Sequence, residues 1–116
     1  MIKQKIRAKA KSFGFDAVGF TSTVKSPHDE QALTKFLSKG WNGEMTWMEN
    51  NDGRRPNPQK TMPSAKSIIM LGMNYGPTKS PLTNLDYTDR GNISVYAQTK
   101  KDYHDVIKKR LKQLGR

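Results

Sequence analysis

The residues best suited to chemistry lie near the end of the sequence, in KKDYHDVIKKRLKQLGR (100–116). Asp102 is predicted to cap a helix, and His104 follows it by two positions. An imidazole at an open helix start could face a ligand and position or protonate it. A surface histidine in a first helical turn would fit the same pattern, so both interpretations remain open. His28 has a similar place without the aromatic context, and we predict that it is a surface residue.

Arginine and aromatic side chains in the predicted loops form a second set of candidates. Arg54 and Arg55 lie in a loop rich in Pro, Asn and Gly, and Arg90 lies in TDRGN. Planar guanidinium groups suit phosphate or carboxylate ligands, although solvated charges are the plain alternative. A planar ligand or a base could stack on three aromatic residues, for which core packing is the alternative: Trp41, Trp47 and Tyr96.

Several classes of site and location are excluded or disfavoured by composition. The sequence has no cysteine, so neither a disulfide framework nor thiolate-held metal can form within it. Two distant histidines make a poor zinc site, and neither a G-x-G-x-x-G motif nor a P-loop is present. The sequence has no apolar run of signal-peptide or membrane-span length. These features predict a cytoplasmic protein without a membrane partner.

The balance of charge and apolar residues limits the size of the core and suggests partners. The 116 residues suffice for one domain, and an apolar share of 34% predicts a small core. Lys and Arg number 21 against 10 acidic residues, which gives a net charge of +11 concentrated towards both ends. Such a charge suits nucleic acid, anionic lipid or acidic protein. Solvated faces of two surface helices would give the same composition.

The predicted elements alternate between helices and short strands. Apolar spacing and end signals predict helices that start near Ile2, Ser26 and Asp102, with Gly14 and Gly40 ending the first two. Three segments are predicted strands, and the second is apolar enough to be covered on both faces: 15–20, 67–75 and 93–97. The remaining segments are predicted as a brief helix or Ω-like loop and as two loops: 41–51, 50–59 and 76–92. The order indicates an α/β or α+β domain with a small sheet and flanking helices.

Four segments of the sequence together carry a family signal. They are FGFDAVGF (13–20), FLSKGWNGEMTWM (36–48), RRPNPQKTMPSAKSIIMLGMNYGP (54–77) and DRGNISVYAQTKKDYHDVIKKRLKQL (89–114). These segments resemble the N-terminal half of the epoxyqueuosine reductase family. The order and spacing match over nearly the whole chain, and the segment that contains D-Y-H-D is the most specific.

This resemblance implies a cytoplasmic oxidoreductase that uses cobalamin. Members of the family remove the epoxide oxygen of epoxyqueuosine at the wobble position of certain tRNAs, which gives queuosine. The N-terminal domain and a following ferredoxin-like domain hold the cobalamin between them, and two iron–sulfur clusters deliver electrons to cobalt. The implied partner is therefore tRNA, to which the basic helices would be suited, and DNA is not expected.

The resemblance also implies site residues. In the family, the D-Y-H-D histidine lies near the active cavity, which makes His104 the candidate for positioning or protonating substrate. An arginine before a proline-rich turn contacts cobalamin, and Arg55, with Arg54 beside it, fits that position. The strand ISVYA borders the corrin, so Val95, through its backbone, and Tyr96 are candidate contacts.

Two features of the family are missing from this sequence. The cysteines that ligate the clusters are absent, and so is the V-D-T-G-like segment that carries the family's proposed general acid. The prediction is therefore a single incomplete N-terminal domain, residues 1–116, without the ferredoxin-like domain, and without turnover when alone. A missing half or a partner chain would supply the rest. The alternatives are a stand-alone, non-enzymatic basic RNA-binding module and an inactive truncated product of poor stability.

Overall fold

The computed structural model describes residues 1–49 and 52–116, which form four α-helices, two strands and three short 3₁₀-helices. The α-helices are α1 (Ile2–Ser12), α2 (Pro27–Ser38), α3 (Pro58–Thr61) and α4 (Tyr103–Leu114). The strands are β1 (Ala17–Ser22) and β2 (Ser67–Gly72). The 3₁₀-helices are Thr46–Met48, Pro81–Asp86 and Val95–Gln98.

The chain divides into two compact units. The first unit comprises Met1–Gly19 and Met70–Arg116, and therefore contains α1, α4 and the 3₁₀-helix Val95–Gln98. The second unit comprises Phe20–Ile69, which contains α2 and α3.

The boundaries of α2 follow the predicted end signals. The Ser26 side chain accepts a hydrogen bond from the Asp29 amide at 3.3 Å, and proline occupies the first helical turn. Asp29 and Glu30 add negative charge where the helix dipole is positive. At the other end, Gly40 adopts φ +64° and its amide donates to the Leu37 carbonyl at 2.9 Å. Both predicted ends of α2 are confirmed.

A glycine with a positive φ also terminates α1. Gly14 adopts φ +90°, its amide donates to the Lys11 carbonyl at 2.9 Å, and the Phe15 amide donates to the Ala10 carbonyl at 3.1 Å. This pair of bonds is a Schellman motif, in which glycine relieves the strain of a positive φ. The motif turns the chain so that Ala10 and Phe15 both become buried, at 0% and 3% exposure. These two side chains form the apolar core of the first unit among the described residues.

The two strands form one antiparallel sheet. The Asp16 amide donates to the Gly72 carbonyl at 2.9 Å, and Gly72 lies opposite Ala17 while Gly19 lies opposite Met70. Small residues at these crossings let the strands approach without side-chain conflict. The mixed α/β class, with a small sheet and flanking helices, is thereby confirmed.

The third predicted strand is wrong. Most of the segment 93–97 belongs to a 3₁₀-helix, Val95–Gln98, although its β-branched and aromatic composition favours a strand. The Ala97 amide donates to the Ser94 carbonyl at 3.0 Å, and the Gln98 side chain donates to the Ile93 carbonyl at 2.8 Å. Local bonds therefore satisfy backbone groups that a neighbouring strand would otherwise have to pair.

The prediction that the second strand is covered on both faces is also wrong. Ile69 and Met70 of β2 are 43% and 60% exposed. A two-stranded sheet has few neighbours to cover its faces, so an apolar run does not by itself bury a strand. The expectation of a small core is confirmed, since no large side chain among the described residues is fully buried.

The predicted loops contain short helical turns. Residues 41–51 include the 3₁₀-helix Thr46–Met48, as one of the two alternatives predicted, and 76–92 include Pro81–Asp86. The predicted loop 50–59 ends in the first residues of α3. Positions 50 and 51, which belong to two of these predictions, lie outside the described residues.

Candidate functional site

The start of α4 is organised by one carboxylate. Asp102 Oδ1 accepts the His104 amide at 2.8 Å and lies 2.8 Å from His104 Nδ1. The pKa of Asp102 is lowered, first by the hydrogen bond from the His104 amide and then by the His104 side chain. The prediction that Asp102 caps this helix is confirmed.

This contact determines which ring nitrogen of His104 remains available for chemistry. A carboxylate beside Nδ1 favours a proton on that atom, so Nε2 is the atom that can accept or deliver a second proton. The His104 side chain is 70% exposed and that of Asp102 is 60% exposed, so the pair faces solvent. The Asp102 carboxylate thus orients the His104 imidazole, as a carboxylate orients the general base in many active sites.

The His104 ring belongs to an aromatic cluster that also contains Tyr96 and Tyr103. The Tyr103 and His104 rings stack with centroids 4.0 Å apart and planes at 28°, and Tyr96 meets Tyr103 edge to face at 5.9 Å. Tyr96 lies on the 3₁₀-helix Val95–Gln98, and Val95 is half-buried at the start of that helix. The structure therefore brings together Tyr96 and His104, two residues that the sequence analysis selected separately.

Two depressions share the Tyr96–Tyr103 pair as a wall. One is lined mainly by apolar and aromatic side chains and has a volume of about 330 Å³: Met73, Tyr75, Tyr96, Tyr103 and Ile107. The other, of about 450 Å³, is polar and includes Lys100, Lys101, Asp102 and His104. Both volumes fall in the range of small-molecule sites, roughly 300–1,000 Å³. The tyrosine pair thus separates an apolar pocket from a cationic one.

Arg55 belongs to the second unit, where its guanidinium lies against Trp47. The Arg55 carbon Cζ is 4.6 Å from the Trp47 ring centroid, and Nη2 donates to the Trp47 carbonyl at 3.1 Å. This geometry presents a planar, oriented cation. Arg55 also lines a depression of about 190 Å³, which is too small for a cofactor on its own. Its neighbour Arg54 pairs with Asp52 at 3.6 Å.

The other aromatic and basic candidates are exposed residues. Trp41 and Trp47 are 59% and 58% exposed, so neither is a core residue, and Lys39 lies over the Trp41 ring at 4.8 Å. Arg90 lies over Tyr87 at 4.8 Å. The His28 side chain is 91% exposed, as predicted for a surface residue.

One residue important for positioning the site was missed by the sequence analysis. Arg110 Nη1 donates to the Gly14 carbonyl at 3.0 Å and lies 2.7 Å from the Met73 sulfur. These contacts hold α4 against the end of α1 and against the residues that follow β2. Little in the sequence indicated this role, because Arg110 falls within a run of basic residues for which a solvated helix face is the expected arrangement.

The described residues contain neither a metal-site cluster nor a helix able to span a membrane. Within residues 1–49 and 52–116, His, Cys, Asp and Glu side chains nowhere cluster as a metal site would require. In the same part of the chain, every helix is too short or too polar to cross a bilayer.

Comparison with known proteins places this arrangement in a family context. The family described as "Epoxyqueuosine reductase QueG, DUF1730" matches residues 55–116, which is more than half of the chain. The matched region runs from Arg55 through the whole of α4.

Curated relatives with the same name match nearly the whole chain. The epoxyqueuosine reductase of Yersinia pestis is 34% identical over 98% of this chain, and that of Escherichia coli K12 is 35% identical over 98%. The protein of that name from Cellulophaga algicola is 38% identical over 94% of this chain. The chain spans 28%, 30% and 34% of the lengths of these three relatives.

A solved structure gives the same result. The structure of epoxyqueuosine reductase from Streptococcus thermophilus superimposes with a TM-score of 0.74 and 28% sequence identity. The match covers 98% of this chain and 30% of that protein. The shared fold therefore corresponds to under a third of the solved relative.

Proposed function

Because this chain belongs to the epoxyqueuosine reductase family, we propose that it is the N-terminal domain, residues 1–116, of an oxidoreductase that reduces epoxyqueuosine to queuosine in tRNA. The observation that carries the proposal is the family match over 55–116, because that region contains both the aromatic cluster and Arg55. A tRNA substrate would place the reaction in the cytoplasm.

The residues in this chain suit one side of a cobalamin. A corrin is a broad ring with apolar faces and a periphery of polar amides. The pocket lined by Met73, Tyr75, Tyr96 and Tyr103 offers aromatic and apolar surface of matching chemistry. When bound, cobalamin would supply the reducing metal centre for removal of the epoxide oxygen.

Particular residues can be assigned to holding the cofactor. Tyr96 would contact the ring through its exposed face, since 54% of Tyr96 is accessible. Val95 would contribute through its backbone at the start of the same 3₁₀-helix. Arg55, oriented by Trp47, would donate to polar groups at the cofactor periphery.

His104 would act on the substrate side. Asp102 holds the ring by Nδ1, which leaves Nε2 to orient the substrate or to pass a proton to it. Tyr103 stacks on the ring at 4.0 Å and limits its rotation. Fixing the ring in this way lowers the entropy lost when substrate is positioned.

Iron–sulfur clusters do not fit the residues of this chain. Clusters are held by cysteine thiolates, and the sequence contains none. A ferredoxin-like domain or a partner polypeptide would have to supply that function.

The cofactor assignment can be tested by titrating the purified chain with cobalamin and following the visible absorption spectrum. We expect a saturable spectral change that Arg55→Ala weakens. Arg54→Ala is the matched control, because it removes a neighbouring guanidinium that pairs with Asp52 and leaves the Trp47 contact intact. Circular dichroism would establish that each variant is folded.

Two results would count against the assignment. The absence of any saturable change in a folded wild-type chain would mean that these residues do not bind cobalamin by themselves. Equal weakening by Arg54→Ala and Arg55→Ala would mean that net charge, and not the oriented Arg55, attracts the cofactor.

A further inference from the structure

The apolar pocket of about 330 Å³ has walls from two separate segments of the first unit. Met73 and Tyr75, which follow β2, form one wall, and Tyr103 and Ile107 of α4 form the other. Tyr96 completes the lining. Residues four apart lie on one face of a helix, so Tyr103 and Ile107 belong to the same face of α4. The width of the pocket therefore depends on what fixes these two segments relative to each other.

The α4 wall is attached to the turn at residues 14–16 through Arg110. Arg110 follows Ile107 by three positions on the same helix face, and it is half-buried. Its Nη1 atom donates to the Gly14 carbonyl at 3.0 Å. A Cβ at Gly14 would lie 2.8 Å from the same nitrogen, so the guanidinium and the turn are in close contact. Arg110 thereby fixes the position of this face of α4 against the turn.

The other wall is attached to the same turn through Asp16. Asp16 Oδ2 accepts a hydrogen bond from the Asn74 amide at 2.7 Å, although the two residues are 58 positions apart in the sequence. Asn74 lies between Met73 and Tyr75, so this bond holds the backbone that carries both lining side chains. The Asn74 side chain in turn accepts the Gly76 amide at 2.8 Å. A carboxylate acceptor makes the bond to Asn74 one of the stronger kind.

Asp16 and Arg110 act from outside the pocket, because other side chains form its lining within the described residues. Arg110 Nη1 also lies 2.7 Å from the Met73 sulfur, which connects the two walls directly. We propose that Asp16 and Arg110 are positioning residues, which together hold the two walls at the separation that admits a planar apolar ligand. The inference rests on the proposed function only for identifying that ligand as part of a cobalamin.

Substitutions at Asp16 separate its hydrogen bond from its charge. Asp16→Ala removes the acceptor, whereas Asp16→Asn retains a side-chain oxygen and loses the charge. Asp89→Ala is the control, because it removes an exposed carboxylate elsewhere in the first unit. Nuclear magnetic resonance of the isotopically labelled chain would measure the exchange rate of the Asn74 amide. It would also follow the amide signals of Tyr75 and Tyr96 during titration with indole, a neutral planar probe.

In the wild-type chain, we expect a protected Asn74 amide and saturable indole binding that shifts both tyrosine signals. Asp16→Ala should speed exchange of the Asn74 amide by about tenfold or more, as expected for the loss of a hydrogen bond to a charged group. It should weaken indole binding by a similar factor, because the wall at Met73 and Tyr75 loses its attachment. Asp16→Asn should retain most of both properties, and Asp89→Ala should match the wild type.

A pair of substitutions tests the second attachment. Arg110→Met keeps the length of the side chain and removes its donors, whereas Arg110→Lys retains a donor for the Gly14 carbonyl. Arg110→Met should weaken indole binding with little change in exchange at Asn74, because the bond from Asn74 to Asp16 remains. Arg110→Lys should restore part of the affinity, which loss of helix packing alone would not explain.

Four outcomes would overturn the inference. They are an unprotected Asn74 amide in the wild-type chain, no indole binding by that chain, equal weakening by Asp16→Asn and Asp16→Ala, and unchanged indole affinity in folded Asp16→Ala. If Asp16→Ala does not fold, exchange in the wild-type chain and the two Arg110 variants decide the matter.

A cobalamin titration of the same variants separates this inference from the proposed function. Indole binding that depends on Asp16, with no cobalamin binding by the wild-type chain, would support the positioning role and overturn the cofactor assignment. Saturable cobalamin binding that is unchanged in Asp16→Ala would support the cofactor assignment and overturn the positioning role.

Discussion

At the scale of single residues, Asp102 combines two roles that sequence patterns treat separately. It caps α4 through the His104 amide and orients the His104 ring through Nδ1, with one oxygen at 2.8 Å from both atoms. Any substitution that changes the carboxylate therefore alters both the helix start and the imidazole. Stability and site geometry are coupled at this position.

The lowered pKa of Asp102 predicts a pH dependence of stability. A carboxyl group whose pKa is lower in the folded than in the unfolded state stabilises the fold above its ordinary pKa of about 3.9. That contribution falls as pH drops through the lowered folded value. Chemical denaturation between about pH 5 and pH 2 should therefore show a smaller loss of unfolding free energy for Asp102→Asn than for wild type.

Asp102→Asn is informative because asparagine also caps helices well and does not titrate. Asp105→Asn, in the same helical turn, removes a carboxylate that is not the cap and provides the control. Identical pH dependence in wild type and Asp102→Asn would show that the contact with His104 does not contribute to stability in solution.

At the scale of elements, α1 and α2 are both terminated by a glycine with a positive φ. Gly14 ends α1 at φ +90° and Gly40 ends α2 at φ +64°. They differ in surroundings, since a Cβ at Gly14 would lie 2.8 Å from Arg110 Nη1, whereas a Cβ at Gly40 would meet no atom within 4 Å. The two sites thus separate backbone strain from steric conflict.

Alanine substitutions at three glycines should give graded losses of stability. Gly40→Ala should lower the unfolding free energy by about 1–2 kcal/mol, from left-handed backbone strain alone. Gly14→Ala should cost more, because Arg110 must also move and weaken its bond to the Gly14 carbonyl. Gly91→Ala is the control, with neither a positive φ nor a close neighbour, and should be nearly neutral.

Urea denaturation of the three variants would measure these differences. A loss at Gly14 no larger than at Gly40 would mean that the Arg110 side chain adapts without cost. In that case the contact between α1 and α4 would not depend on this hydrogen bond.

At the scale of the whole molecule, the net charge of +11 should oppose folding. Like charges repel one another more strongly in the compact state than in the unfolded chain, and salt screens this repulsion. The melting temperature should therefore rise as NaCl is increased from low to physiological concentration. The rise should be smaller in the Lys35→Gln, Lys66→Gln, Lys79→Gln variant, which carries three fewer positive charges.

Thermal denaturation followed by circular dichroism at several NaCl concentrations would measure this effect. A melting temperature that falls with added salt would indicate that attractive ion pairs outweigh the repulsion. The pairs described, such as Arg54 with Asp52, are exposed, and pairs of that kind contribute little.

The sequence by itself determined the features that depend on local chemistry. Helix ends at Ser26, Gly14 and Gly40 follow from hydrogen-bonding side chains and from the freedom of glycine at positive φ. The family resemblance and the candidate residues around D-Y-H-D were also visible in residue order, because they depend on identity and spacing.

Tertiary structure alone decided which distant residues meet. The sequence did not indicate that Arg110 would reach the Gly14 carbonyl or that Tyr96 would meet Tyr103, since spatial contact depends on how the chain turns between elements. The segment 93–97 shows the same limit, because its strand composition required a neighbouring strand for pairing. Within residues 1–49 and 52–116 no strand pairs with this segment, and local hydrogen bonds instead form a 3₁₀-helix that places Tyr96 in the aromatic cluster.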